Sequence, residues 1–289
     1  MIIGRDRETV VENIRKAAES GDFYAKVELD DPTLTAAESR EIIRNYLRDR
    51  NKISFRFRSF WARRVDNIVT ALVNWQTEIV SHIDDRILKD GAIITSNHFS
   101  PLENTVIRHY VQQHTRRKFR IVSQVTNFAM RGFLGFLMNY ADTIPLPTEP
   151  RALAQDFTAI LQESLQKKEV VLIYPEQEMW FQYRKPRPPK KGAYHFAAKL
   201  QKPVISCFVE IVDTGKPEKD PAFHKTAYRL HVLDVLYPDP AKSVRDNSRE
   251  LCERDYALKT AAYEACYRKP LSYTFEQEDI AGYVGERHG

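Results

Sequence analysis

The 289 residues, 43% of them hydrophobic and 29% charged, suffice for one large α/β domain with helical extensions or for two small domains. Forty-four Lys and Arg against 39 Asp and Glu leave a net charge of +5, which suits an anionic membrane surface or a phosphorylated ligand and is too mild to argue for nucleic acid. The three cysteines, Cys207, Cys252 and Cys266, form no Cys-x-x-Cys pair, so neither a disulfide framework nor a cysteine zinc motif is indicated.

The chain opens Met-Ile-Ile-Gly-Arg-Asp-Arg and turns charged before a signal-peptide core can form. No window approaches the roughly 18 to 20 uninterrupted apolar residues of a membrane span. A cytoplasmic protein is expected, with any membrane contact peripheral and on the inner face. Residues 1–84 read as a helical N-terminal region. Ser39 to Arg50 is charged and helix-prone, and Val65 to Ile83 places Val65, Ile68, Val69, Leu72, Val73 and Ile79 near helical spacing. Between them, Ile53-Ser-Phe-Arg-Phe-Arg-Ser-Phe-Trp-Ala-Arg-Arg64 fits two readings: an interfacial membrane anchor, or a helix whose aromatics face the core while its arginines snorkel.

Residues 85–240 alternate strand and helix. Ala92 to Ser96, Lys118 to Val125, Val170 to Tyr174, Pro203 to Val209 and Tyr228 to Leu236 read as strands. Glu103 to Gln113, Arg151 to Lys168 and Ala193 to Leu200 read as helices. This alternation predicts an α/β fold with a largely parallel or mixed central sheet flanked by helices. Residues 241–289 form a C-terminal helical extension, with a loosely held tail from Ser272.

Thr95-Ser-Asn-His-Phe-Ser-Pro-Leu-Glu-Asn104 follows a strand and opens a helix, which brings His98 to the surface of the sheet's end. Imidazole titrates near neutral pH and suits proton abstraction, and the Glu103 carboxylate can hold one ring nitrogen and stabilise the imidazolium. Ser100-Pro-Leu-Glu103 is equally a capping box, in which Glu103 only closes the helix N-terminus.

Four segments together resemble the glycerolipid acyltransferase family. Asn97-His98-x-Ser100-x-x-Glu103 is similar to that family's His-x4-Asp signature. Val171-Leu-Ile-Tyr-Pro-Glu176 resembles its strand ending in Pro-Glu-Gly, Lys190-Lys-Gly-Ala-Tyr-His-Phe-Ala-Ala198 its Lys-x-Gly helix start, and Lys202-Pro-Val-Ile205 its last motif. Order and spacing agree from about residue 85 to 240. The resemblance implies O-acyl transfer from acyl-CoA or acyl carrier protein to a lysophospholipid, glycerol phosphate or glycolipid hydroxyl, with no bound cofactor; no metal is expected, because the spacing of His109 and His114 beyond His98 and Glu103 matches no metal motif. The resemblance assigns His98 as base, Glu103 as its partner and Glu176 as the glutamate of the acceptor loop; Gln177 and Glu178, which follow it, are read from the residues themselves as further acceptor-binding candidates. The expected partners are the membrane surface, a lipid acceptor and acyl carrier protein, and no nucleic acid.

The chain departs from the family in replacing its aspartate by Glu103, in carrying Pro175-Glu-Gln-Glu-Met-Trp180 for Pro-Glu-Gly-Thr-Arg, and in having no basic residue within Thr143-Ile-Pro-Leu-Pro147. The lost arginines favour a neutral, sugar-like or amine-bearing acceptor. A phosphate or CoA site could instead recruit Arg184, Lys185, Arg187, Lys190 and Lys191; the alternative is that this Pro-rich loop is a solvated or membrane-facing surface. Phe128 to Met138 is a candidate acyl groove or core helix, His195 a packing residue, and Trp180 a core aromatic within reach of a sugar. A catalytically weak lipid-binding relative and a thioesterase-like hydrolase are the competing functions.

Overall fold

The computed structural model describes residues 6–29, 32–147, 149 and 152–285. Three helices, α1 (Arg7–Ser20), α2 (Ala36–Asp49) and α3 (Ile53–Val73), precede the first strand, β1 (Glu78–Ser81). Strand β2 (Ile93–Thr95), helix α4 (Glu103–His114), strand β3 (Phe119–Gln124), helix α5 (Gly132–Tyr140) and strand β4 (Thr143–Leu146) follow. A π-helical turn, Leu153–Phe157, runs into α6 (Thr158–Gln166), then come β5 (Val170–Ile173) and α7 (Gly192–Leu200). A long hairpin, β6 (Val204–Pro217) and β7 (His224–Leu236), leads to α8 (Val244–Tyr267).

The seven strands make one mixed sheet in the order β1-β7-β6-β2-β5-β3-β4. All neighbours are parallel except β6 and β7, so the α/β expectation holds. The core strands are apolar at nearly every position because both faces are covered. Successive side chains point to opposite faces. Ile94, Val170, Leu172, Ile205 and Val209 pack with Val106, Ile107 and Tyr110 of α4. Ile93, Val171 and Val204 pack on the other face with Ile160 and Leu161 of α6, Tyr194 and Ala197 of α7 and Leu251 of α8.

Three expectations are corrected. The helix read as Val65 to Ile83 stops at Val73, where Asn74 caps it, and Ile79 lies instead in the edge strand β1, paired with Leu230. Of the aromatic stretch read as an anchor or a core-facing helix, Phe57, Phe60 and Trp61 do not face the core but are exposed, and so are Ile68, Val69, Leu72 and Val73 after them. From Ser272 to Gly285 the tail is not loose, since Asp279, Ile280 and Ala281 are buried and Ile280 bridges to Tyr183. Its apolar residues join Val10, Val11, Ile14 and Trp180 in a third cluster, which ties both chain ends to the loop after β5. The beginning of the helix read from Arg151 and residues 286–289 lie outside the described residues.

Candidate active site

The centre of the sheet places the site. Strand β2 has β5 and β6 on its two sides, and the residues leaving its C-terminal end carry the candidate chemistry, the usual location in an open α/β sheet. Asn97 is buried and fixed there. Its amide nitrogen donates to the Val209 carbonyl at 3.0 Å and its amide oxygen accepts from the Val209 N–H at 2.8 Å, which extends the β2–β6 register by one side chain. Below it, the Thr95 hydroxyl donates to Asp255 of α8, which also accepts from the Tyr194 hydroxyl and from Lys259 at 2.6 Å.

His98 therefore leaves a rigid platform. Its Nδ1 lies 2.5 Å from Glu103 Oε1, with the imidazole 20% exposed and the glutamate side chain 1% exposed. A carboxylate accepts in this contact, so Nδ1 carries the proton and Nε2 is left as the basic nitrogen. The imidazole stacks on the Tyr174 ring with centroids 4.0 Å apart and planes 10° from parallel, which fixes its tilt. Burial, with the Glu103 carboxylate beside it, raises the Tyr174 hydroxyl well above the ordinary phenol range.

The capping-box alternative does not form. Helix α4 begins at Glu103 itself, its N-cap Leu102 makes no side-chain cap, and the Ser100 hydroxyl accepts from the Leu102 N–H at 3.2 Å. Glu103 reaches His98 rather than back to Ser100, and its second oxygen, Oε2, is buried with no hydrogen-bond partner among the described residues.

The loop after β5 holds the three residues expected of the acceptor loop in unlike surroundings. Glu176 is buried, and both oxygens are occupied: Oε1 accepts from the Arg187 N–H at 3.0 Å, and Oε2 from the His98 N–H and the Arg187 Nε, each at 3.2 Å. Glu176 is thus a buried clamp between two loops. The Arg187 guanidinium also donates to the Phe23, Glu178 and His98 carbonyls and lies 4.6 Å from the Trp180 ring centroid. Burial lowers its pKa, and the facing Glu176 carboxylate opposes that shift. Gln177 is exposed with φ 68°, a left-handed conformation that glycine adopts more readily. Glu178 is half-buried and accepts from Gln124 at 2.8 Å.

From Lys185 to Arg187 the basic stretch is not a solvated face. Lys185 is 2% exposed, paired with Asp279 at 2.6 Å and donating to the Thr274 carbonyl at 2.8 Å, because the tail crosses over it. Arg184 pairs with Asp213 and donates to the Ile211 carbonyl. Arg184, Lys185 and Arg187 are thus each engaged by partners within the fold. Lys190 and Lys191 remain exposed, the Lys190 ammonium standing 3.4 Å over the Tyr24 ring. Trp180 is fully buried, its indole N–H on the Ala25 carbonyl, and cannot stack on a sugar. His195, expected to pack, is exposed.

Sequence reasoning missed Tyr174 and the Phe23–Ala25 segment. Tyr174 had a usable signal, as the last residue of a buried strand directly before Pro175-Glu176. The N-terminal segment had none, because the residues it meets, Arg187, Trp180, Lys190 and Tyr273, stand more than 150 residues away in the sequence.

Residues 76–210 match the family model described as Acyltransferase. Among solved structures, that of the 1-acyl-sn-glycerophosphate (LPA) acyltransferase PlsC from Thermotoga maritima is similar, with 15% identity and a TM-score of 0.47 over 92% of this chain and 98% of that one. No curated protein matches the chain.

Proposed function

We propose that this chain, whose residues 76–210 match the Acyltransferase family model, moves an acyl group from a thioester donor, acyl-CoA or acyl carrier protein, to a hydroxyl of a membrane lipid. His98 acts as general base and Glu103 as its partner. The observation that carries this reading is the 2.5 Å contact between His98 Nδ1 and a buried carboxylate, which leaves Nε2 to take a proton. As the acceptor oxygen attacks the thioester carbonyl, its proton passes to Nε2. The buried carboxylate stabilises the imidazolium that forms, and the proton is then delivered to the departing thiolate as the C–S bond breaks.

The acceptor is a lysophospholipid-like or glycolipid molecule whose headgroup meets Gln177 and Glu178 rather than a cluster of arginines. Supporting this, the basic residues between Arg184 and Arg187 are held by Asp213, Asp279 and Glu176. Lys190 and Lys191 are the exposed cations of that segment and suit donor phosphates. Labelled acyl-CoA and acyl carrier protein, each supplied with vesicles containing lysophosphatidate or a glycolipid with a free hydroxyl, test this directly. Labelled diacyl or acylated glycolipid product is expected; free fatty acid alone would make the chain a hydrolase, and no turnover would leave a lipid-binding relative.

The membrane contact is α3. No helix among the described residues is long and apolar enough to cross a bilayer, yet α3 exposes Phe57, Trp61, Ile68 and Leu72, and Trp75 just past its Asn74 cap is exposed too, with Arg56 and Arg64 alongside. This pattern suits burial in the headgroup layer. Helix α3 packs on α4, which begins with Glu103, and on α5, which exposes Phe133 and Leu134. Phe55 is half-buried against Tyr46 and Tyr140 and belongs to the fold instead. Changing Phe57, Trp61 and Leu72 together to serine is expected to lower partition onto anionic vesicles roughly 100-fold, the equivalent of about 3 kcal/mol of apolar transfer. Unchanged sedimentation with vesicles would rule α3 out.

A further inference from the structure

On the sheet face opposite α4, three side chains from separate elements converge. Glu210 of β6, His231 of β7 and Cys266 of α8 place one ligand atom each within 4.8 Å of the others. The His231 Nε2 lies 2.9 Å from Glu210 Oε2 and 3.4 Å from the Cys266 sulfur. Two neighbouring antiparallel strands and the helix packed on them hold the three positions, so the arrangement is rigid before anything binds.

A cysteine, a histidine and a glutamate also make up a nucleophilic triad, and the geometry separates the two possibilities. A triad needs the thiol on one ring nitrogen and the carboxylate on the other, so that the imidazole relays between them. Here both meet the same Nε2, so no relay exists. Convergence of sulfur, nitrogen and oxygen on one point is instead what a chelated ion requires.

We infer that Glu210, His231 and Cys266 form a zinc site that fastens the end of α8 to the β6–β7 hairpin. Ligands about 2.0 to 2.3 Å from a tetrahedral ion stand about 3.4 to 3.7 Å from one another. The imidazole–thiol distance already fits, and the imidazole–carboxylate pair needs to open by only about half an ångström. A soft thiolate, an imidazole and a single carboxylate select zinc over calcium or magnesium. The Cys266 thiol gives its proton to solvent as the sulfur–metal bond forms; thiolate and carboxylate then balance the two positive charges, and a water completes the coordination. Without the ion, burial and the Glu210 carboxylate push this thiol up to about 12, so it is a proton-bearing partner until a metal displaces the proton.

One neighbour opposes the ion. Arg229 donates to Glu210 Oε2 at 3.0 Å and to Glu78 at 2.7 Å, and it is 38% exposed. It neutralises Glu210 in the absence of metal and can remain on Glu78 when metal binds. The site is independent of the acyl-transfer reading, although Glu210 directly follows Val209, the residue that holds Asn97 beside His98.

The test is a titration of the full chain, dialysed against a chelator, with zinc chloride alone and, in parallel, with cobalt chloride. One zinc per chain is expected, with affinity falling roughly 100-fold in Cys266→Ser and in His231→Gln, and rising in Arg229→Gln. The cobalt form should show a thiolate-to-metal charge-transfer band that Cys266→Ser lacks. Zinc binding no tighter in the wild type than in either ligand variant, or a cobalt spectrum without the thiolate band, would overturn the assignment. Because binding is read directly on folded protein, a variant that fails to fold is recognised by its circular dichroism, and Arg229→Gln, outside the ligand set, still decides the outcome.

Discussion

Replacing His98 by alanine is expected to lower kcat for acyl transfer by about 10²- to 10⁴-fold, the range that a positioned general base contributes. The loss should fall mainly on kcat, since the imidazole acts as the proton moves. Alanine also strips the stack from Tyr174 and leaves Glu103 buried without its nitrogen partner, so some stability is lost with it. His98→Gln is the companion variant. Its amide can still donate to the carboxylate but cannot accept a proton at neutral pH, so it should melt closer to wild type and be as slow as the alanine variant. A His98→Gln enzyme retaining most of the wild-type rate would remove His98 from the chemistry.

The second large effect is on folding. Arg187→Met keeps the volume of a side chain that is 1% exposed but removes the guanidinium that pairs with Glu176 at 3.1 Å. Breaking one side of a buried ion pair costs about 3 to 5 kcal/mol, because the remaining charge keeps its desolvation cost without its partner. At about 2 °C or more per kcal/mol in a chain of this size, the melting temperature should fall by roughly 10 °C. Activity should fall further than stability alone explains, since Glu176 also accepts from the His98 backbone N–H and the same guanidinium braces the His98 carbonyl. An unchanged melting temperature with a raised KM for the acyl donor would return Arg187 to phosphate binding.

How much of this was legible in the sequence follows from how local each signal is. Strands β2 and β5 and the first half of β6 were readable because they are short, apolar runs, and burial on both faces demands such runs; β4 (Thr143–Leu146), at the far edge of the sheet, was not read as a strand. Strand β1 was not, since Glu78–Ser81 is a four-residue edge strand whose only mate is β7. The apolar spacing of Val65 to Val73 was real but faces outward, and periodicity does not tell core from membrane. The Ser100–Glu103 pattern satisfied a cap and a catalytic pair equally well, and only the position of His98 decided between them. The basic run from Arg184 to Lys191 read as accessible charge because its neutralising partners, Asp213, Asp279 and Glu176, stand elsewhere in the sequence. The convergence of Glu210, His231 and Cys266 was invisible for the same reason: separations of 21 and 35 residues match no metal motif.

The central claim is that His98 and Glu103 act as one unit, and a double-mutant cycle on kcat measures it directly. Glu103→Gln alone is expected to cost about 10- to 100-fold, by loss of the charge that stabilises the imidazolium. Combined with His98→Gln, it should cost nothing further, because residues that act together are not additive. A Glu103→Gln enzyme with an unaltered rate, or a double variant slower than His98→Gln by the full Glu103→Gln factor, would contradict the pairing.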